Sequence, residues 1–434
     1  MKNYLHFRAL LVLSCLNSLF GTIDAWPDNY IINADGLNPK KVPDQQADSI
    51  EELYKRAIAY KEEGNFDKAL NLFYQCIQLN PHLAAPYYHI GCIYAQQHEL
   101  DKAIEYFKKT ITIKPNAKKA IDELRRAYAL LGDYENAWKQ CKEMLRLDNK
   151  NTPIDAWANL DIFNKTILIR DNRGFGDLFQ YIRFAKAFKE KGARIICQIR
   201  SNLKPMLSLC DYIDQLVVND QDLPPYDLDI STWFFENVSP DLYPVQIPYL
   251  VPDVQLVKHW GKKLADDKHF KIGLCWQANY YADLSTGKLV TDNRSIPLVK
   301  LIQLASLPSI SLYSLQKENG MGQIKALPEP TMLHTFDNDF DVTHGKFMDT
   351  AAAMKNLDLV ITVDTSIAHL AGALGVPTWV LLPISAEHRW LINRSDSPWY
   401  PTMRLFRQSK SNDWESVIET IINELKNVLQ NNPL

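Results

Sequence analysis

A period of 34 residues runs through the first third of the chain and constrains its fold more than any other feature. Between residues 49 and 150, aromatic and small side chains return at that spacing in four registers. Each unit has room for two short amphipathic helices, in which small alanines permit close helix contact and aromatic rings fill the gap. Such a unit cannot bury its own apolar face, so consecutive units must stack. The recurring positions are Tyr60, Tyr94 and Tyr128; Ala69, Ala103 and Ala137; Phe66, Leu100 and Tyr134; and Phe73, Phe107 and Cys141.

Helix-ending residues complete the repeating pattern. Pro81 and Pro115 close the first two units and Asn149 takes that place in the third, because a proline cannot continue the helical hydrogen-bond ladder. Gly91 holds the small position of the second unit. The region resembles three tetratricopeptide repeats. The resemblance implies a short concave groove for a protein or peptide partner. A stack that only supports the next domain remains the alternative. In both cases we expect contact with that domain through the last helix pair.

The periodicity changes near residue 165. From there to residue 430, short β-branched runs alternate with helical stretches in two series, 165–253 and 254–430. Strand, turn, helix and strand in succession indicate parallel sheets, and two such lobes in tandem predict a ligand cleft at the carboxyl ends of the strands. The predicted strands are 166–170, 194–199, 217–218, 227–230, 271–276, 310–315, 358–363 and 378–382, and the predicted helices are 177–191, 297–305, 349–356, 367–374 and 413–429.

Charge and cysteine usage exclude several classes of function. The formal net charge of the 434 residues is -3, so no global basic field attracts nucleic acid. The seven cysteines form no Cys-x-x-Cys pair, and closely spaced Cys or His ligands for zinc are missing from the sequence. We therefore predict no nucleic-acid partner, no metal site and no cofactor.

The first 48 residues read differently from the rest. Basic residues precede the apolar run Ala9–Leu16, and Ala25 could precede a cleavage site, so residues 1–25 resemble a secretory signal. This favours export or membrane association, and the alternative is an apolar helix packed on the body. Residues 26–48 contain prolines and little periodicity, which is typical of a linker.

The first candidate site follows the strand predicted at 166–170. Gly174 and Gly176 permit a tight turn and close approach to a ligand, and Asp177 begins the next helix. The amide groups at a helix start attract anions. Asp177 has two interpretations: a cap of its own helix, which is common for aspartate, or a general base that faces the cleft.

The second candidate site follows the strand that ends at Val363. Asp364, Thr365 and Ser366 precede or open a helix, where hydroxyl and backbone N–H groups suit a diphosphate. His369 lies one turn further on, so its ring is within reach of the same anion. The alternatives to anion binding are structural: capping of the helix by the hydroxyl groups, and a role for His369 as a core histidine. Capping and anion binding are compatible at one helix terminus.

These motifs resemble the heptosyltransferase-type glycosyltransferase family, and more closely its branch with N-terminal tetratricopeptide repeats. The resemblance covers residues 165–430 and is carried by Gly174–Asp177, Asn293–Pro297, Asp364–Pro377 and Asp396–Gln408. It implies a GT-B fold of two Rossmann-like lobes, so the expected fold class is α followed by α/β.

The resemblance also implies roles for particular residues. Asp177 matches the candidate base of a metal-independent enzyme. In the turn Trp276–Asn279, Gln277 and Ala278 replace the more usual alanine or serine and glycine. The residues expected to bind the donor are Gly174, Gly176, Asn279, Arg294, Asp364, Thr365, Ser366 and His369.

Two functions remain open. The first is transfer of a sugar from a nucleotide-activated donor to an acceptor hydroxyl that Asp177 activates, with the repeats recruiting a protein or the acceptor. The second is a non-catalytic scaffold with a degenerate glycosyltransferase-like body. Such donors are normally cytoplasmic, which conflicts with the export signal, so the compartment stays open. For the enzyme, we expect Asp177→Asn to lose most of its turnover with little change in melting temperature, and His369→Ala to weaken donor binding more than it lowers the maximal rate.

Overall fold

A computed structural model of the chain describes most of the repeat region and both α/β lobes. The predicted signal-like segment 1–25 and linker 26–48 lie outside the described residues. The described residues are 49–148, 162–171, 173–219, 221–231, 246–279, 281–282, 289–290, 293–327 and 333–431.

Within residues 49–148 the chain forms six helices, which pack as three consecutive pairs. Ala69, Ala103 and Ala137 are fully buried, as their small size at the helix contacts predicts. The position of Gly91 requires a residue without a side chain, because a Cβ there would lie 2.7 Å from the Phe107 ring. The helices are α1 (Ile50–Glu62), α2 (Phe66–Leu79), α3 (Ala84–Gln96), α4 (Leu100–Ile113), α5 (Lys118–Leu130) and α6 (Tyr134–Leu147).

The third helix pair packs against the α/β body. Helix α5 packs against a turn of 3₁₀ helix at His388–Trp390. On α6, Cys141 and Leu145 belong to the same buried apolar cluster as Ile167 and Ile195 of the first sheet. The contact through the last pair agrees with the expectation from the sequence. The shared core makes residues 50–434 one compact unit.

The first lobe contains a four-stranded parallel sheet in the order β3-β2-β1-β4. Its inner strands are continuous apolar runs, as expected for parallel strands covered on both faces. The predicted helix 177–191 is two helices, because the chain turns at Ile182, where Arg183 donates from its side chain to the carbonyl of Gln180. The elements are β1 (Thr166–Arg170), α7 (Phe175–Tyr181), α8 (Arg183–Glu190), β2 (Arg194–Ile199), α9 (Lys204–Leu207), β3 (Gln215–Val218) and β4 (Leu228–Ser231).

The second lobe contains a six-stranded parallel sheet in the order β12-β11-β10-β5-β8-β9. Its central strand β10 is buried along its whole length. The elements are α10 (Val254–Lys263), β5 (Phe270–Cys275), the hairpin strands β6 (Tyr281–Ala282) and β7 (Leu289–Val290), α11 (Leu298–Leu301), β8 (Ile310–Ser314), β9 (Leu333–His334), α12 (Met348–Met354), β10 (Leu359–Val363), α13 (Ser366–Leu374), β11 (Thr378–Leu382), β12 (Met403–Arg407) and α14 (Trp414–Asn431).

Several elements of the second lobe differ from the sequence prediction. The helix predicted at 297–305 is a single turn, α11, followed by a 3₁₀ helix at Ile302–Ser306. The elements without a sequence prediction are α10, β6, β7, β9 and β12, of which β12 pairs with β11 in parallel. None of the helices in the described part of the chain combines the length and the apolar character that crossing a membrane requires.

Candidate active site

A cleft of about 770 Å³ opens at the carboxyl ends of strands from both sheets. Its walls include segments that follow β1, β2, β5, β8, β9, β10 and β11. This is the place where ligands bind in open parallel α/β folds. Every residue nominated from the sequence lines the cleft: Gly174, Gly176, Asp177, Asn279, Arg294, Asp364, Thr365, Ser366 and His369.

Asp177 caps its helix and faces the cleft at the same time. Gly174 is the N-cap residue of α7, and Asp177 stands three residues later. Its Oδ2 accepts a hydrogen bond of 3.1 Å from the backbone N–H of Gly174, as an acidic residue at this position of a capping box does. Its Oδ1 accepts a hydrogen bond of 2.8 Å from Nη2 of Arg389, across the cleft. The two interpretations made from the sequence therefore do not exclude each other.

Arg389 and Glu387 are functional candidates that the sequence reasoning missed. Both line the cleft, on the segment between β11 and β12. Burial opposes ionisation of Glu387, but the positive charges of nearby Arg389 and Arg294 lower its pKa to about 2. The sequence did contain an indication of this segment, because Glu387–Arg389 are three polar and titratable residues inside an otherwise apolar run. Nothing in the sequence indicated which partners they meet.

The charges around the cleft balance, which limits how it can recognise an anion. Five cationic and five acidic side chains line it, so it has no net positive field. Several of the cations are already paired, such as Arg200 with Asp171 at 2.7 Å. A diphosphate would therefore depend on directed N–H donors. The ten charged residues are Arg200, Arg294, Lys317, Lys346 and Arg389, and Asp177, Glu318, Asp341, Asp364 and Glu387.

The start of α13 supplies such donors. Thr365 is the N-cap residue, and its Oγ1 accepts a hydrogen bond of 3.3 Å from the backbone N–H of Ile367. The same oxygen lies 3.3 Å from Oγ1 of Thr362, so the Thr365 hydroxyl is occupied with capping. Ser366 is half-buried in the cleft wall. The helix terminus thus carries a partial positive charge and further N–H groups at the cleft.

Asp364 is buried between the helix start and two arginines. Only 3% of it is exposed, and burial raises the pKa of its carboxyl group, while the charges of Arg389 and Arg294 partly oppose that rise. Nη1 of Arg294 donates to the backbone carbonyl of Asp364 at 3.3 Å and lies 3.5 Å from Oδ2 of Asp364. Arg294 therefore stands at the edge of the α13 terminus, where it adds a positive charge.

His369 does not supply a charge to the cleft. Its ring stacks on Trp390 at 5.2 Å and its Nδ1 is hydrogen-bonded to the Tyr400 hydroxyl at 3.0 Å. Burial, with the nearby charges of Arg389, Arg183 and Arg294, holds the pKa of His369 well below its ordinary value. The ring is thus neutral near pH 7, in agreement with the core-histidine interpretation. Truncation to alanine would open a cavity and remove a partner of the buried Tyr400, so we now expect His369→Ala to destabilise the fold.

The glycines and Asn279 have structural roles that the sequence could not separate from ligand binding. A Cβ on Gly176 would lie 2.8 Å from Cδ2 of His369, so the absence of a side chain allows α7 to approach α13. A Cβ on Gly174 would meet only the Asp177 carboxylate, at 3.2 Å. Asn279 is exposed in the cleft, and its Oδ1 accepts a hydrogen bond of 3.1 Å from Asn319.

Neutral buried histidines make the fold sensitive to acid. Burial, assisted by neighbouring Arg389, lowers the pKa of His388 to about 3, and burial with nearby Lys61 lowers that of His89 to about 3. As the pH falls, these rings are therefore protonated in the unfolded chain while they are still neutral in the folded chain. The stability that they contribute is complete above pH ~6.5 and falls as the pH drops, by up to about 1.4 kcal/mol per pH unit for each ring.

We expect His388→Asn to unfold with a weaker pH dependence than the wild type between pH 7 and pH 4. Urea unfolding at several pH values measures this slope. The control is His82→Asn, because His82 is exposed and its removal should leave the slope unchanged. Equal slopes in the wild type and in His388→Asn would contradict the assignment of a neutral, buried ring.

Comparison with known proteins identifies the N-terminal module. Two models of the tetratricopeptide repeat match residues 53–83 and 84–117. Residues 53–117 therefore carry tetratricopeptide repeats, and the helical repeats are followed by an α/β part that contains two parallel sheets.

Two solved structures of sugar transferases are similar to part of this chain. A family 9 glycosyl transferase from Veillonella parvula DSM 2008 is 12% identical, covers 63% of this chain and all of its own, and has a TM-score of 0.47. The E. coli ADP-heptose lps heptosyltransferase II is also 12% identical, covers 61% of this chain and 99% of its own, and has a TM-score of 0.45.

A curated relative matches a smaller part of the chain. The Protein FlbA of Caulobacter vibrioides is 24% identical over 187 residues, which are 43% of this chain. The match covers 30% of FlbA, so the chain spans less than a third of that relative's length.

Proposed function

We propose that the protein is a glycosyltransferase that moves a sugar from a nucleotide-activated donor to an acceptor hydroxyl. Asp177 is the general base in this proposal. The start of α13, with Thr365, Ser366 and Arg294, binds the donor diphosphate. One observation carries the proposal: the carboxylate of Asp177 and the N-terminus of α13 line the same cleft, although they belong to different lobes.

The reaction needs only these groups. Asp177 takes the proton from the acceptor hydroxyl as its oxygen attacks the anomeric carbon of the donor. The bond between that carbon and the diphosphate oxygen breaks, and the leaving diphosphate keeps the electron pair. N–H groups at the α13 terminus and the guanidinium of Arg294 stabilise the negative charge that develops there. Asn279 and Asp364 line the same cleft.

The repeats have a recruiting role in this proposal. Three stacked pairs form a short surface that suits a protein partner or a protein-borne acceptor. The third pair lies against His388–Trp390, a segment next to the cleft, so an acceptor held by the repeats would be close to the reaction.

A catalytically silent scaffold is the second candidate, and one observation favours it. Both oxygens of Asp177 already accept hydrogen bonds inside the protein. A carboxylate has about four acceptor positions, however, so two bonds leave capacity for an acceptor hydroxyl.

A panel of nucleoside-diphosphate sugars, tested by thermal shift, separates these two candidates. We expect one donor to raise the melting temperature, because a ligand at about a hundredfold excess over Kd stabilises by about 2.7 kcal/mol. Arg294→Met should weaken this stabilisation, since it removes the cation beside the α13 terminus.

Arg394→Met is the matched control. Arg394 is paired with Asp396 at the surface and is absent from the cleft wall, so its loss should leave the donor-induced shift intact. A panel in which no donor shifts the wild type, or in which Arg294→Met responds like the wild type, would count against the proposed donor site.

A further inference from the structure

Arg389 is a buried cation whose partners come from both lobes. It is 9% exposed, and a buried guanidinium requires hydrogen-bond acceptors. Its Nη2 donates to Oδ1 of Asp177 at 2.8 Å and to Glu387 at 3.3 Å, and its Nη1 donates to Oε1 of Gln180 at 3.0 Å. Asp177 and Gln180 lie on α7 of the first lobe, whereas Arg389 follows β11 of the second. The arginine therefore fixes the side of α7 that faces the cleft.

The two hydrogen bonds of Asp177 together define its orientation. The bond from Gly174 holds Oδ2 against the helix start, and the bond from Arg389 holds Oδ1 towards the second lobe. The Gly174 bond alone would leave the carboxylate free to rotate about that contact. A general base must lie within hydrogen-bond reach of the proton it abstracts, so this orientation matters for the rate.

The segment that carries Arg389 is itself held in a strained conformation. Leu391 has a φ of 51°, which is unusual for a residue with a branched side chain. Its carbonyl oxygen accepts a hydrogen bond of 2.6 Å from Arg407, and its side chain lies 3.7 Å from the Cβ position of Gly132 in the third repeat. Local strain of this kind persists only when the surroundings over-determine it, and it concentrates at functional sites.

We propose that Arg389 is the positioning residue of the base: from the donor lobe it orients the Asp177 carboxylate towards the acceptor hydroxyl. The inference rests on the proposed function and deepens it. The third repeat contacts this segment where Leu391 lies against Gly132. The distance between the base and the donor lobe is therefore set partly by the repeat module.

A second buried arginine provides the comparison. Arg183 also joins the two lobes, since its Nη2 donates to the carbonyl of Trp399 at 2.9 Å and to the Tyr249 hydroxyl at 3.2 Å. It is as buried as Arg389, but it neither lines the cleft nor contacts Asp177. The substitution Arg183→Met therefore also removes a buried cation between the lobes, but it removes no hydrogen bond to Asp177.

A double-mutant cycle on kcat tests the inference, with the donor found by the thermal-shift panel. Arg389→Met should lower kcat by about 10²-fold, the effect of a misplaced catalytic group, and change the donor KM little. In the Asp177→Asn background the same substitution should change kcat by no more than about twofold, because the group that it orients is already inactive. Arg183→Met should lower kcat by the same factor in both backgrounds.

The melting temperatures of the wild type, Arg389→Met, Asp177→Asn and the variant with both substitutions form a second cycle that needs no donor. Coupled shifts are expected, because each single substitution leaves a buried partner behind. Independent effects of Arg389→Met and Asp177→Asn in either cycle would overturn the positioning role. A wild type that turns over no donor would defeat the proposed function and this role with it. Turnover with an unchanged kcat in Arg389→Met would defeat this inference alone.

Discussion

Asp177→Asn is expected to lower kcat by about 10²–10⁴-fold, or roughly 3–5 kcal/mol of transition-state stabilisation. The substitution keeps the size of the side chain and its place beside Gly174, and it removes the ability to accept a proton. Steady-state turnover of the donor–acceptor pair measures the loss. Asp396→Asn is the control, since Asp396 is an exposed ion-pair partner at the surface, and it should keep full activity. Full turnover in Asp177→Asn would remove the general-base role.

The effect of the same substitution on stability is larger than the sequence suggested. An amide offers one acceptor oxygen where the carboxylate offers two, so the Gly174 N–H and Arg389 can no longer both be satisfied. The loss of a hydrogen bond to a charged group costs about 1.5–3 kcal/mol. The expectation of a nearly unchanged melting temperature is therefore replaced by a measurable decrease, and activity must be compared at a temperature where both proteins are folded.

Gly176→Ala is expected to lower kcat by up to about 10²-fold, because a small displacement of a catalytic group can have that effect. The new Cβ would lie 2.8 Å from the buried His369 ring, which is clamped between Trp390 and Tyr400 and cannot move aside. Helix α7, and Asp177 with it, must then shift away from α13. Kinetics of the purified variant measure the result.

Gly322→Ala is the matched control, since the Cβ position of Gly322 has no neighbour within 4 Å. It should behave as the wild type. If Gly176→Ala retained full activity and stability, the close approach of α7 to α13 would be irrelevant to function, and the two lobes would not set the position of the base.

Local patterns predicted the architecture well. The repeat register follows from side-chain size, which is why Ala69, Ala103 and Ala137 are buried at helix contacts. Apolar runs such as Leu359–Val363 predicted buried parallel strands, and the glycine- and hydroxyl-rich turns after β1 and β10 predicted the cleft wall. These features depend on neighbours within a few residues along the chain.

The features that were missed depend on distant residues. Asp177 and Arg389 are 212 positions apart, and no local pattern signals their contact. The burial of His369 against Trp390 and Tyr400, which keeps its ring neutral, likewise has no local signal in the sequence. The sequence explained Gly176 by an approaching ligand, whereas the neighbour that requires a glycine is a side chain of the other lobe. Packing between residues that are far apart in the sequence, which no local periodicity encodes, decided each of these cases.

The most direct test of sugar transfer is the stoichiometry of the reaction products. The wild type is incubated with the donor from the thermal-shift panel and an extract of the cells that make the protein, and the released nucleoside diphosphate, the free sugar and the glycosylated acceptor are measured by mass spectrometry. We expect one acceptor molecule with the added sugar mass for each nucleoside diphosphate released, and loss of both signals in Asp177→Asn. Release of free sugar without a glycosylated acceptor, or products that persist unchanged in Asp177→Asn, would contradict this expectation.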